Sequence, residues 1–124
     1  MAKRVAIIDI GSNSIRMVIF EKTSRFAFHL LHEAKSKVRI SQNAYQNNGN
    51  LQNEAMDRTF FALADFLTIA SSFKVTKTLC VATSALRDAP NKSLFLSRVR
   101  KELGLNIKVI DGEKEALYGA IACA

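Results

Sequence analysis

The stretch Val5-Ala6-Ile7-Ile8-Asp9-Ile10-Gly11-Ser12-Asn13-Ser14-Ile15-Arg16-Met17-Val18-Ile19-Phe20 decides how this chain is expected to fold. Residues 5–10 and 15–20 form two largely apolar runs, which are typical of strands covered on both faces. Residues 11–14, between them, all favour tight turns. The pattern predicts a β-hairpin whose turn is formed by residues 11–14.

A carboxylate and several small polar groups lie at this turn. Asp9 interrupts the first apolar run, and a carboxylate beside a buried strand costs free energy unless something pairs with it. Gly11 lets a ligand approach the backbone closely, and successive turn N–H groups can bind an anion. Ser12, Asn13 and Ser14 add short side-chain donors. Residues 11–14, called the phosphate turn below, are therefore predicted to bind phosphate, with Asp9 holding a metal or a water. A plain hairpin with a turn-capping Asp is the alternative.

Length and charge narrow the class of protein. A chain of 124 residues, 48% apolar and 23% charged, has the size and composition of one soluble globular domain. Its apolar runs are too short to span a membrane and no signal peptide is visible, so a cytoplasmic protein is expected. The net charge of +7 favours polyanionic ligands. Because the basic residues are scattered and not interleaved with aromatic ones, no specific nucleic-acid partner is expected.

The rest of the chain alternates between helix and strand patterns. We expect a strand over residues 25–34, a polar exposed loop over 35–50, a helix over 51–73, a strand over 78–83, a helix over 92–103, a strand over 107–110 and a helix over 113–124. Asn50 or Asn53 is the expected N-cap of the first helix and Asn91 that of the second, which Gly104 ends. This order predicts an α/β fold, a mixed five-stranded sheet with a leading antiparallel hairpin and helices packed on it.

A second motif, Ala82-Thr83-Ser84-Ala85-Leu86-Arg87-Asp88-Ala89-Pro90-Asn91, follows a predicted buried strand. Ligands of open α/β sheets bind just beyond the carboxyl ends of the strands. Arg87 offers a planar fork that suits a phosphate, although a surface ion pair with Asp88 would explain it equally well. In a third motif, Ile110-Asp111-Gly112-Glu113-Lys114-Glu115-Ala116, the carboxylates lie in the first turn of a predicted helix, where the helix dipole favours them in any case.

Together the motifs resemble those of the exopolyphosphatase and guanosine pentaphosphate phosphohydrolase family, which belongs to the actin-like ATPase superfamily. The second motif is similar to that family's signature Ala-Thr-Ser-Ala-x-Arg-x-Ala-x-Asn, and the resemblance runs from residue 6 to residue 119. It implies a ribonuclease-H-like domain and hydrolysis of a terminal phosphate from inorganic polyphosphate or guanosine pentaphosphate. The third motif departs from the family, with Lys114 in place of a Glu and Asp111 in place of a Ser.

The resemblance also assigns site residues. It implies that Glu115 and Arg87 are catalytic and that Asp9 helps to hold Mg²⁺. It implies phosphate contacts from the turn, at Gly11, Ser12, Asn13 and Ser14. The stretch Val38-Arg39-Ile40-Ser41 echoes a family element that ends in Gly, which makes Arg39 a further candidate phosphate contact.

Family members carry a second, similar domain, so residues 1–124 are expected to be the first, N-terminal actin-like domain of a longer protein. With that C-terminal domain missing, the chain is expected to be inactive alone, and a homodimer through uncovered apolar surface is a further expectation. Two alternatives stay open: an actin-like kinase or ATPase domain, and a non-enzymatic phosphate-binding module.

Overall fold

The computed structural model describes residues 3–24, 27–42, 49–82 and 84–110. The elements are β1 (Lys3–Ile10), β2 (Ile15–Ser24), β3 (Ala27–Ser36), α1 (Asn53–Ser72), β4 (Lys77–Ala82), α2 (Ser84–Arg87), α3 (Lys92–Leu103) and β5 (Ile107–Val109). The predicted mixed sheet is confirmed, with the strand order β3-β2-β1-β4-β5. The helix predicted over residues 113–124 lies outside the described residues. Within the described ranges, no helix is long and apolar enough to cross a membrane.

The leading hairpin forms as predicted, but its two strands are covered differently. β1 pairs with β2 in antiparallel fashion, with Ile10 opposite Ile15, and its apolar residues are buried on both faces. β2 was expected to be covered in the same way, and this was wrong. Its inward residues Met17 and Ile19 are fully buried, whereas Arg16 is exposed and pairs with Glu33 of β3. Side chains alternate along a strand, so only one face of β2 belongs to the core.

Three strands end together at one edge of the sheet. β1, β4 and β5 are parallel, with Ile10 beside Ala82 and Ala82 beside Val109. The Ile110 N–H donates to the Ala82 carbonyl at 2.8 Å, which continues the pairing one residue past β5. We call this row of strand ends the carboxyl edge. Each of the three motifs starts at or just beyond it, so the topology brings three separated stretches of sequence to one place.

Helix α1 covers one face of the sheet. Leu63, Phe66 and Ala70 are buried in a core shared with β1, β2 and the α3 residues Phe95 and Val99. The expected caps of α1 were wrong: the N-cap position is Gln52, and no side chain caps the helix start. The end of α3 is as predicted, because Gly104 adopts the left-handed conformation that glycine tolerates best, with φ of 66°.

The segment expected to be an exposed loop from residue 35 is partly strand and partly core. β3 continues to Ser36, where Lys35 and Ser36 pair with Arg16 and Ile15 of β2. Val38 and Ile40 are buried on either side of the exposed Arg39. The polar composition of this segment concealed its two buried side chains, which anchor residues 38–42 beside the phosphate turn.

Candidate functional site

The phosphate turn is closed by one short hydrogen bond. The Gly11 N–H donates to the Ser14 carbonyl at 3.0 Å. A Cβ atom at residue 11 would lie 3.2 Å from that carbonyl oxygen, closer than most real Cβ contacts, so a larger residue would push the turn open. Gly11 is therefore needed for the tightness of the turn, and its own N–H is already engaged inside it.

Residues 38–42 hold the other side of the turn. The Arg39 N–H donates to the Asn13 carbonyl at 2.9 Å, and the Ser41 N–H donates to the Ser12 carbonyl at 3.3 Å. The described peptide bonds are all trans, and a trans peptide directs its C=O and N–H in opposite directions. The N–H groups of Asn13 and Ser14 therefore point away from residues 38–42. Two neighbouring N–H groups aimed the same way form a concavity that suits an anion.

Asp9 places negative charge beside this turn. It is partly buried, lies next to Val81 of β4, and has its Oδ1 atom enclosed by protein. Burial, reinforced by the negative charge of Asp9, raises the pKa of the neighbouring Cys80 thiol far above its ordinary value. Cys80 is consequently a neutral, buried thiol.

The donor set at Asp9 fits Mg²⁺. A carboxylate oxygen is the ligand that this ion prefers, and Mg²⁺ is commonly held by one or two carboxylates together with waters and substrate phosphates. The described ranges contain no group of three or more His, Cys, Asp or Glu side chains that could hold a metal. Among the residues that the structure describes, a magnesium site here would thus depend on Asp9, together with phosphate oxygens and waters.

Arg87 lies where the second motif predicts it, in a short helix that the sequence did not predict. α2 follows shortly after β4, and its residue Leu86 is fully buried. The Lys92 Nζ donates to the Arg87 carbonyl at 2.8 Å, which fixes the end of α2. The Arg87 Nε contacts the exposed Asp88 carboxylate at 3.4 Å, as the alternative interpretation expected. An ion pair this long and exposed contributes little stability.

Asn91 acts differently from the prediction. It occupies the N-cap position of α3 but makes no side-chain hydrogen bond to that helix. Its amide group instead pairs with the backbone of Leu51: Oδ1 accepts from the Leu51 N–H at 2.8 Å, and Nδ2 donates to the Leu51 carbonyl at 2.9 Å. The last residue of the second motif therefore joins that motif to the start of α1.

Of the two remaining predicted site residues, Glu115 and Arg39, the structure describes only Arg39. Glu115 is outside the described residues, as are Asp111 and Lys114. Arg39 is exposed and has a positive φ of 50°, and its backbone is bonded to the turn. Because its backbone lies on the side of the turn opposite to the Asn13 and Ser14 N–H groups, its side chain would have to pass around the turn to meet the same phosphate.

Sequence reasoning missed Arg58 of α1. Its Nε donates to the Val38 carbonyl at 3.0 Å, and its Nη2 contacts the Arg39 carbonyl at 3.4 Å and Gln42 Oε1 at 2.6 Å. An Arg on the polar side of an amphipathic helix resembles a solvated surface residue. A single sequence carries no signal that distinguishes such a residue from one that bonds a distant backbone segment.

Comparison with known proteins decides the family. The model of the Ppx/GppA phosphatase family matches residues 4–124. The chain belongs to the Ppx/GppA phosphatase family. Its relatives include a guanosine-5'-triphosphate,3'-diphosphate pyrophosphatase from Aliivibrio fischeri, 35% identical over 98% of this chain, and exopolyphosphatase 1 of Mycobacterium tuberculosis, 29% identical over 91% of it.

Solved structures of Ppx/GppA proteins confirm the actin-like fold. The Aquifex aeolicus family member superposes with a TM-score of 0.85 at 33% identity, and an exopolyphosphatase from Cytophaga hutchinsonii with 0.83 at 32%. The two superpositions cover 93% and 92% of this chain, but only 37% and 36% of the matched chains. The chain spans 24% of the Aliivibrio relative and 33% of the mycobacterial one. It thus corresponds to a minor part of each relative.

Proposed function

We propose that this Ppx/GppA chain forms the phosphate-binding side of a site that hydrolyses a terminal phosphoanhydride bond in inorganic polyphosphate or guanosine pentaphosphate. The observation that carries the proposal is the shared register of Ile10, Ala82 and Val109. That register brings the phosphate turn, Arg87 and the start of the third motif to the carboxyl edge. Ligands of open α/β sheets bind at this kind of edge.

Each residue has a separate role in the proposed site. The N–H groups of Asn13 and Ser14 bind phosphate oxygens, with the Ser12 and Ser14 hydroxyls as further donors. Arg87 offsets charge on the transferring phosphoryl group through its planar fork. Glu115 orients or deprotonates the attacking water, on the strength of the motif alone. Asp9 would hold Mg²⁺, which when bound neutralises charge on the phosphate oxygens.

The choice of substrate rests on what the relatives are named for. The Aliivibrio relative is named for a guanosine phosphate and the mycobacterial relative for polyphosphate. Both substrates end in a phosphoanhydride. In the proposed site the described residues would contact only phosphate groups, so the site suits either substrate. We further propose that turnover needs a second domain like the remaining part of those relatives, because phosphoryl transfer requires charge stabilisation on both sides of the substrate. The homodimer and the cytoplasmic location stay predictions.

Phosphate release tests this proposal. This chain and the full-length Aquifex aeolicus relative are assayed side by side with polyphosphate, guanosine pentaphosphate and ATP at the same Mg²⁺ concentration. We expect the chain alone to bind tripolyphosphate but to release little phosphate. Equal rates per molecule would overturn the two-domain requirement and confine the site to this chain. Hydrolysis of ATP in preference to the other two would favour the ATPase alternative.

A further inference from the structure

Arg58 connects helix α1 to the segment that supports the phosphate turn. Its guanidinium contacts three acceptors, the carbonyls of Val38 and Arg39 and the side chain of Gln42. The two carbonyls lie on either side of the Arg39 backbone unit. Arg39 has a φ of 50°, a conformation that non-glycine residues hold only when their surroundings enforce it. Arg58 supplies part of that enforcement.

The constraint continues from Arg39 into the turn. The Arg39 N–H donates to the Asn13 carbonyl, and two residues later the Ser41 N–H donates to the Ser12 carbonyl. Both hydrogen bonds depend on the position of the Arg39 backbone. Each of these carbonyls belongs to the same rigid peptide plane as an N–H group on the other side of the turn. Fixing the Ser12 and Asn13 carbonyls therefore fixes the directions of the Asn13 and Ser14 N–H groups, which are the groups proposed to bind phosphate.

We propose that Arg58 is a positioning residue: it holds residues 38–42 so that the Asn13 and Ser14 N–H groups converge on a phosphate. This inference rests on the proposed function. Arg58 itself does not touch the ligand in this account, since all three of its acceptors belong to residues 38–42. Its effect on phosphate affinity is transmitted through backbone hydrogen bonds, and a lysine, with one ammonium in place of a fork, would replace only part of it.

Two measurements on this chain test the proposal. Calorimetric titration with tripolyphosphate and Mg²⁺ gives the affinity of the wild type, Arg58→Ala and Arg58→Lys, under conditions where each variant is folded. Amide hydrogen exchange gives the protection of the Arg39 and Ser41 N–H groups. Arg98→Ala is the matched control, because Arg98 also contacts α1, through Asp57, but joins it to α3.

We expect Arg58→Ala to weaken tripolyphosphate binding roughly 3- to 30-fold, with partial recovery in Arg58→Lys. The Arg39 and Ser41 amides should exchange at least about tenfold faster in Arg58→Ala, because their bonds to the turn open more often. Arg98→Ala should leave both readouts near wild type.

Wild-type affinity in Arg58→Ala, or an equal loss in Arg98→Ala, would overturn the positioning role. If the wild-type chain does not bind tripolyphosphate, the proposed function fails and the positioning role fails with it. Faster amide exchange in Arg58→Ala would then show only that Arg58 stabilises residues 38–42 against the phosphate turn.

Discussion

The pairing of Asn91 with Leu51 allows a quantitative prediction about the Ppx/GppA signature motif. Replacing Asn91 with Ala removes two hydrogen bonds of 2.8 and 2.9 Å at a partly buried position. It also leaves the Leu51 N–H and C=O without those partners, and Leu51 itself is only 2% exposed. At about 1 kcal/mol for each bond, Asn91→Ala should lower the free energy of unfolding by about 2 kcal/mol. For a chain of this size that corresponds to a fall in Tm of roughly 6–12 °C.

The charged variant Asn91→Asp makes the test sharper. The introduced carboxylate can still accept from the Leu51 N–H, but it faces the Leu51 carbonyl oxygen, which disfavours its charged form. Its pKa in the folded chain should therefore lie above the unfolded value of about 3.9. A group shifted in this direction is least harmful below the unfolded pKa and destabilises as the pH rises through the folded pKa. The difference in the free energy of unfolding between Asn91→Asp and wild type should therefore be smallest below about pH 4 and largest at pH 7.

Urea unfolding followed by far-UV circular dichroism measures both variants, with an unchanged slope as the check on two-state behaviour. Asn53→Ala is the control, because Asn53 is exposed at the start of α1 and no side chain caps that helix. Its effect should stay within about 0.5 kcal/mol. If Asn53→Ala costs as much as Asn91→Ala, or if Asn91→Ala costs less than about 0.5 kcal/mol, the assignment of Asn91 as a clamp on Leu51 is wrong.

Three further predictions concern the proposed site. Arg87→Ala should weaken tripolyphosphate binding and Arg87→Lys should restore only part of it, since Lys lacks the planar fork; calorimetry that shows full recovery by Lys would make Arg87 a simple point charge. Gly11→Ala should open the turn, with a loss of about 1 kcal/mol in urea unfolding and weaker anion binding, because the added Cβ meets the Ser14 carbonyl at 3.2 Å. With the second domain present, Glu115→Gln should slow phosphate release about 10²- to 10⁴-fold while substrate still binds, and a wild-type rate would reject Glu115 as the catalytic residue.

The hairpin and the parallel strands could be predicted from the sequence because their signals are local. The apolar runs before and after residues 11–14 have strand composition, and Gly104 marks the end of α3. Helix α2 was missed since four residues carry no periodicity that can be recognised. The burial of Val38 and Ile40 was missed because two apolar side chains in a polar stretch are a weak signal. Their burial can be recognised only in the folded chain, where α1 and the phosphate turn lie next to them.

The residues near the carboxyl edge could be selected from the sequence, but their connections could not. The turn and Arg87 are noticeable because polar residues follow apolar strands, and Asp9 because it interrupts one. The roles of Asn91 and Arg58 depend on partners 40 and up to 20 residues away, at Leu51 and Val38. Local rules favour the nearer explanation in each case, a helix cap for Asn91 and a solvated surface for Arg58. In the structure, both side chains instead bond backbone groups that are distant in the sequence.

Phosphate binding at the carboxyl edge can be tested by chemical-shift mapping of the backbone amides. The ¹⁵N-labelled chain is titrated with tripolyphosphate in the presence of Mg²⁺, with sodium sulfate at equal ionic strength as the control. We expect saturable shifts centred on the Asn13 and Ser14 amides and around Arg87, and weaker shifts of the same amides with sulfate at equal ionic strength. Shifts spread evenly over the basic surface, or centred on the α1 and α3 faces distant from this edge, would contradict it.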